Sequence, residues 1–409
     1  MARRVREASR LVARAPGPVR DDALRMAADL LEEERAVLLE ANKGDLARAE
    51  SGGMAASALD RLRLTDERVS AMAAGLRAVA ALADPVGEVV DGWTRPNGLR
   101  VSRQRVPLGV IGVIYENRPN VTSDVAGLCL KAGNAAFLRG SASALASNQA
   151  IVSVLRRAAA KAGLPEDAVA LVEDTSHETA VAFMRLRGLI DCLIPRGGPA
   201  LIATLLEHAT VPYVLDGDGN CHVYVDAAAD LPMALDIVVN AKTHRFGVCN
   251  AAETILVHAA VAAEFLPPMH AALATAGVEV RGDERVRAVV PGVGVARESD
   301  FATEYLGPTV AVGVVGDLDA AMAHIARFGS GHSEAIVTTD VRAADRFVAE
   351  VDAAAVLVNA STRFIDGEEL GLGAEVGIST QKLHARGPMG VRELTSVKWV
   401  VRGDGQVRR

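Results

Sequence analysis

The sequence predicts an α/β protein built around parallel sheets, and three observations carry that reading. From Val106 onward, short apolar runs alternate with stretches of helical periodicity, the pattern of strands joined by crossover helices. The alternation restarts after Asp218-Gly-Asn220, so two such units follow one another. Hydrophobic residues make up 50% of the 409 residues and aromatics only 3%. The cores must therefore be built from Ala, Val and Leu, and the length suits roughly two or three domains.

Residues up to about 85 read as helices. Apolar residues recur at i, i+3, i+4 through Ala23–Ala41 and Val69–Ala83, with a break at Ser51-Gly52-Gly53. The run Val106–Tyr115 is almost continuously apolar, as a strand buried on both faces requires. The turn Glu116-Asn-Arg-Pro-Asn120 then leads into a helix, with Thr122 or Ser123 as its cap and Gly133 near its end. The unit recurs as strand Ala135–Arg139 with helix Leu145–Ala162, strand Ala168–Glu173 with helix Ser176–Arg187, and strand Leu189–Ile194 with helix Pro199–His208. In the second unit, helices are expected at Leu231–Thr243, Val261–Ala276, Asp319–Phe328 and Ala343–Val351. Strands are expected at Glu253–His258, Thr309–Val315, Ala335–Thr339 and Ala355–Asn359. A terminal strand is expected at Ser396–Val401 after a Gly-rich tail. Ligands in such folds collect at the carboxyl ends of strands, where the loops after Arg139 and Pro195 fall. Two units also imply a cleft between them.

Composition excludes several classes of function. A net charge of −7 with few aromatics argues against a dedicated nucleic-acid binder. Without an apolar run approaching the roughly 18 residues of a membrane span, no membrane partner is expected. The opening Met-Ala-Arg-Arg-Val-Arg is followed by acidic residues rather than an apolar stretch. It reads as a solvated helix face, and a cytoplasmic location is expected. Four cysteines, Cys129, Cys192, Cys221 and Cys249, are spread without CxxC or a nearby His at zinc-ligand spacing. No metal site and no disulfide framework is therefore expected. Three of them lie in or beside apolar strand and helix patterns and read as inert core thiols. Cys249, in Arg245-Phe-Gly-Val-Cys249-Asn250, sits on a loop. Such a thiol is either a nucleophile activated by backbone N–H groups and cations or a small buried hydrophobe; the residues alone leave both open.

Three stretches decide between these readings. They are Val106-Pro-Leu-Gly-Val-Ile-Gly-Val-Ile-Tyr-Glu-Asn-Arg-Pro-Asn-Val121, Ile194-Pro-Arg-Gly-Gly198, and Asn359-Ala-Ser-Thr-Arg-Phe-Ile-Asp-Gly367 continuing through Gly371 to Gly390. Together they resemble the aldehyde dehydrogenase superfamily and, within it, the gamma-glutamyl phosphate reductase family, also called glutamate-5-semialdehyde dehydrogenase. The resemblance implies an aldehyde dehydrogenase-like fold with two three-layer α/β domains. These are a Rossmann-like cofactor domain over 1–216 and a catalytic domain over 217–385 carrying Cys249. It also implies a small oligomerisation element pairing 92–105 with 386–409, and hence a homo-oligomer, dimer or tetramer. The implied reaction is NADPH-dependent reduction of L-glutamyl 5-phosphate to L-glutamate 5-semialdehyde and phosphate through a cysteine thioester, in proline biosynthesis. Glutamate 5-kinase, which makes the acyl phosphate, is expected as a separate partner.

By the same resemblance Cys249 is the nucleophile and Asn117 the side chain that holds the oxyanion, with the Cys249 backbone N–H as a second donor. Read locally, Asn117 is equally a turn residue beside Pro119. Hydrolytic relatives carry a Glu base where this chain has Val214. General-base help is worth roughly 10²–10⁴-fold, so its omission spares the thioester from water and favours a reductase. Arg139, Gly140 and Ser141 fall where the superfamily meets the adenosine ribose, and an arginine there suits a 2′-phosphate. Gly197 and Gly198 open a helix at the expected pyrophosphate approach, and Glu304 matches the residue that holds the nicotinamide ribose. Arg118, Asn120, Arg363, Lys382, His384 and Arg386 are the candidates for the substrate's anionic groups. Each is alternatively a surface salt-bridge partner. His244 and Phe246 stand where the family more often has Gln and Pro. Two rivals remain: an ordinary NAD-dependent aldehyde dehydrogenase, and a catalytically silent nucleotide-binding subunit.

Overall fold

Strand formation begins where β-branched residues accumulate. In this computed structural model, which describes residues 1–408, the chain separates into two compact units. The first comprises 1–216, 371–377 and 389–409; the second comprises 217–370 and 378–388. A contiguous catalytic stretch over 217–385 therefore does not describe the folded chain, because 371–377 return to the first unit.

The first unit opens with five helices, Ala2–Val12, Gly17–Glu33, Arg35–Ser51, Ala56–Leu62 and Asp66–Ala81. Two strands follow, β1 (Val89–Thr94) and β2 (Arg100–Pro107), and then the core strands β3 (Val110–Tyr115), β4 (Ala135–Arg139), β5 (Val169–Leu171) and β6 (Cys192–Arg196). The core sheet has the order β5-β4-β3-β6 and is parallel throughout. Every residue of β3 is buried. The single apolar run Val106–Tyr115 is split at Leu108-Gly109, where Gly109 takes φ 125°, a backbone region that only glycine adopts without strain. A Cβ there would fall 2.1 Å from Asp191 Oδ2, the atom that accepts the Val110 N–H at 2.8 Å.

The helix after β3 starts at Pro119, not at Thr122, with Arg118 as its cap. Proline at the first helical position needs no N–H partner and brings its φ pre-set. Thr122 instead hydrogen-bonds Tyr115 at 2.7 Å, and Ser123 Oγ donates back to Asn120 O at 2.8 Å.

The second unit holds a seven-stranded parallel sheet in the order β10-β9-β11-β8-β7-β12-β13. Its strands are β7 (Cys221–Val225), β8 (Ala252–His258), β9 (Glu279–Gly282), β10 (Gly294–Val295), β11 (Thr309–Val315), β12 (Ser333–Val337) and β13 (Ala355–Val358). The short pair β14 (Ile378–Ser379) and β15 (Gly387–Pro388) is antiparallel. The core is aliphatic, with Val223, Val225, Ile255, Val257, Val310, Val312 and Leu266 packed together, as the composition requires. Back in the first unit, β16 (Thr395–Arg402) pairs antiparallel with β2 and completes a three-stranded β1-β2-β16 ribbon. The ribbon exposes Val89, Val90, Trp93, Val397, Trp399 and Val401; Trp93 and Trp399 meet edge to face at 5.7 Å.

Candidate active site

In the second unit, Cys249 sits on the loop joining the helix Leu231–Thr243 to the amino end of β8. Alone among the four thiols it keeps access to solvent. Burial pushes Cys192 up to about 12 and raises Cys129 and Cys221 well above the ordinary thiol value, so those three are locked as thiols. The loop is fixed from several sides. Asn250 is buried and donates from Nδ2 to Ile365 O at 2.9 Å. Cys221 Sγ donates to the Cys249 carbonyl at 3.1 Å and lies 3.6 Å from His332 Nδ1.

Gly219 makes the closest approach: a Cβ on it would fall 1.6 Å from Cys249 O and 2.5 Å from its Cα. The turn carrying Gly219 is pinned by Asn220, whose Nδ2 donates to Phe301 O at 2.8 Å and Phe328 O at 2.7 Å. Glu304 Oε1 accepts the Gly219 N–H at 2.8 Å. Two residues on, the Leu306 N–H donates to Glu253 Oε1 at 3.1 Å. Glu253 is buried against Lys242; burial raises its carboxyl, with the lysine charge opposing. Gly219, Glu253 and Lys242 were not singled out by sequence reasoning, and Cys221 was read only as an inert core thiol. An Asp-Gly-Asp-Gly-Asn run signals a tight turn, but not what the turn abuts.

These residues lie at the amino ends of β7, β8, β11 and β12, contrary to the carboxyl-end rule for open parallel sheets. In the first unit the candidates Asn117, Arg139-Gly140 and Gly197-Gly198 lie at the carboxyl ends of β3, β4 and β6.

Asn117 takes φ 45°, a left-handed conformation that Asn tolerates better than most residues. Its Oδ1 accepts from Ser141 Oγ at 3.1 Å and from Ser143 Oγ, and its backbone N–H donates to Ser141 Oγ at 3.2 Å. With the carbonyl end occupied by two hydroxyls, Nδ2 is left as the presenting donor. Asn120 Nδ2 donates to Asp124 Oδ2 at 2.9 Å, so its amide already serves a carboxylate.

Arg139 Nη2 donates to Thr175 O at 2.6 Å and Ser176 O at 3.0 Å, while its buried Nε has no protein partner. Gly140 is required by Asn148, whose Nδ2 would lie 2.1 Å from a Cβ. Gly197 lies under Glu116 and Leu201, whereas a Cβ on Gly198 would meet nothing within 4 Å. Gly198 caps the helix Pro199–His208, and its N–H donates to Glu116 Oε2 at 3.2 Å. A carboxylate thus occupies the kind of seat that helix N-termini offer to phosphates.

The cationic candidates of the second unit divide. Arg363 Nε donates to His244 Nδ1 at 3.3 Å, and its guanidinium is within electrostatic reach of Arg245 and Cys249. Lys382 and Arg386 instead converge on Asp352, whose carboxyl they hold below its ordinary value. His384 is exposed. Val214 is buried, and its N–H donates to Leu193 O at 2.9 Å. A cavity of about 300 Å³ in the second unit, lined by Asp283, Arg297, Phe301, His324 and Phe328 among others, does not include Cys249. Among the described residues no cluster of His, Cys, Asp or Glu could hold a metal, and no helix is long and apolar enough to cross a membrane.

Comparison with known proteins finds relatives over the whole chain. The profile of the aldehyde dehydrogenase family matches residues 1–291. The chain is 56% identical over 406 residues to a gamma-glutamyl phosphate reductase of Moorella thermoacetica, covering 99% of this chain and 97% of that protein. It is 52% identical over 408 residues to one from Caldanaerobacter subterraneus, covering 100% and 99%. The crystal structure of the gamma-glutamyl phosphate reductase of Thermotoga maritima superposes with a TM-score of 0.97 at 48% identity, covering 100% of this chain and 99% of that one.

Proposed function

Since the chain belongs to the aldehyde dehydrogenase family and, within it, to the gamma-glutamyl phosphate reductases, we propose that it reduces L-glutamyl 5-phosphate to L-glutamate 5-semialdehyde and phosphate with NADPH, through a thioester on Cys249. The observation that carries this reading is a single solvent-accessible thiol on a loop braced by Gly219, Cys221 and Asn250. Three sequestered thiols compete with it for nothing.

In the forward direction Cys249 Sγ attacks the γ-acyl carbon, the carbon–oxygen bond to phosphate breaks, and inorganic phosphate departs. Arg363 and Arg245 supply the positive charge that a reactive thiolate and an anionic substrate both need. Asn117 Nδ2 donates to the oxyanion as it develops, held in that role by Ser141 and Ser143. Such pre-set donors stabilise the transition state without reorganising. NADPH, when bound, supplies the hydride that converts the thioester to the aldehyde and releases the thiolate. Val214 offers no base to activate water, so the thioester survives until reduction.

The residues present fit a nicotinamide dinucleotide. Nothing packs within 4 Å of where a Cβ on Gly198 would lie, at a helix N-terminus where a phosphate would displace Glu116 from the Gly198 N–H. Gly140 allows close packing at the end of β4, and the buried Nε of Arg139 awaits an acceptor. Arg139, Gly140, Ser141, Gly197 and Gly198 would hold its adenosine and phosphates, with the guanidinium favouring NADPH over NADH. Glu304 would hold the nicotinamide ribose, exchanging or sharing the Gly219 N–H. Among the substrate candidates Arg118 and Arg363 are assigned to anionic groups. Lys382 and Arg386 secure the C-terminal motif through Asp352, and neither Asn120 nor His384 is given a separate anion. The exposed ribbon face of Trp93, Trp399 and neighbouring valines is covered by further copies of the chain in a homo-oligomer. The enzyme works in the cytoplasm on acyl phosphate made by a glutamate 5-kinase.

Gly219→Ala is expected to lower kcat about 100-fold, because a 1 Å displacement of a reacting group costs on that order and here the obstacle is backbone. Steady-state kinetics on the folded variant checks it; wild-type turnover would contradict the bracing role. The reaction itself is tested by supplying glutamyl phosphate from a coupled kinase and following NADPH and semialdehyde together. One semialdehyde should form per NADPH consumed. Consumption without semialdehyde overturns the reading.

A further inference from the structure

The proposed substrate carries an ammonium group as well as its anions, and the charges assigned above leave it unmet. Asp124 lies on the helix Pro119–Lys131, the helix that begins directly after Asn117 and Arg118. Side chains on a helix lean toward its N-terminus, and Asp124 does so: its Oδ2 accepts from Asn120 Nδ2 at 2.9 Å and its Oδ1 from Ser123 Oγ at 3.3 Å. The carboxylate is thus turned back one helical turn toward the loop carrying Asn117.

It is half-buried, yet it belongs to none of the ion pairs found among the described residues. Its nearest influential cation, Arg196, is paired with Asp216. Burial accordingly pushes the Asp124 carboxyl up to about 6, with Asn120, Ser123 and Arg196 opposing. A desolvated carboxylate without a cation is costly unless a ligand supplies one. Two other carboxylates of this unit are matched by cations, Asp216 by Arg196 and Asp191 by Arg6.

Resting on the proposed reaction, we infer that Asp124 receives the α-ammonium of the glutamyl substrate and keeps that nitrogen protonated. The role has a chemical consequence. A free α-amine sits four bonds from the γ-acyl carbon, placed to close a five-membered ring. Nitrogen attack on the thioester would form the N–C bond, break the C–S bond and release 5-oxoproline, with the ammonium proton passing to the departing thiolate. An ammonium held on a carboxylate has no lone pair with which to attack. Asp124 therefore sets specificity for an amino-acid substrate and suppresses loss of the intermediate as lactam.

The experiment compares wild type, Asp124→Asn and Asp124→Glu in the phosphate-dependent oxidation of L-glutamate 5-semialdehyde and of 5-oxopentanoate, which lacks the amine. In Asp124→Asn the KM for glutamate semialdehyde should rise roughly 10- to 100-fold, the range of a lost charged hydrogen bond, with kcat within about threefold. The KM for 5-oxopentanoate should not change, and Asp124→Glu should recover part of the discrimination. With phosphate withheld, Asp124→Asn should release more 5-oxoproline from the acylated enzyme than wild type does. Equal loss on both substrates would assign Asp124 a structural role and overturn the inference, as would an unchanged ratio. If wild type shows no phosphate-dependent turnover of either aldehyde, the reaction itself is wrong and the inference falls with it.

Discussion

Cys249→Ser is expected to lower phosphate-dependent turnover by at least about 10⁴-fold, the scale on which loss of a catalytic nucleophile is felt. A hydroxyl is a far weaker nucleophile than a thiolate at neutral pH. The other thiols cannot substitute. Cys221 is the nearest by sequence and contact, but it is buried and donates to the Cys249 carbonyl. The exchange is nearly isosteric, so thermal stability and cofactor affinity should remain at wild-type values. Kinetics read beside a melting curve therefore separates lost chemistry from lost folding. Residual turnover within tenfold of wild type would remove Cys249 from the mechanism.

Asn117→Ala should cost about 10²–10³-fold in kcat, the usual effect of deleting one oxyanion donor, with KM changed much less. The serines make the test sharper. Ser141 and Ser143 both donate to Asn117 Oδ1, so Ser143→Ala should give a smaller loss in the same direction, by freeing the amide to rotate. Asn117→Asp preserves shape but replaces the donor with a carboxylate, which repels the oxyanion, and should be at least as damaging as alanine. A variant with low KM and normal kcat would show that Asn117 only shapes the turn.

The alternation of strands and helices was legible because each element carries its own period, and the run Val106–Tyr115, which contains β3, reads as buried on both faces. What escaped the sequence was long-range. Nothing local announces that Asp191, 82 residues away, needs a glycine at 109 and so divides one apolar run into two strands. The helix start moved to Pro119 because proline's fixed φ outweighs the capping preference of Thr122 and Ser123, which found partners in Tyr115 and Asn120. Cys249 was singled out as the candidate nucleophile through the family resemblance, but its location at the amino end of β8 depends on strand order, which no single segment encodes. The basic residues of the C-terminal motif looked like one anion site. Asp352, 30 residues before Lys382, claims two of them, and sequence distance hid that pairing. Asp124 was passed over for a similar reason, since an acidic residue within an apolar helix is remarkable only once its lack of a cation is known.

The measurement that tests the thioester reductase most directly is the phosphate dependence of NADP reduction by the wild-type enzyme with L-glutamate 5-semialdehyde. Without phosphate, NADPH formation is expected to stop after a burst equivalent to the enzyme present, because Val214 cannot activate water against the thioester. Added phosphate should restore steady turnover. Continuous turnover in the absence of phosphate would contradict the account and identify a hydrolytic aldehyde dehydrogenase.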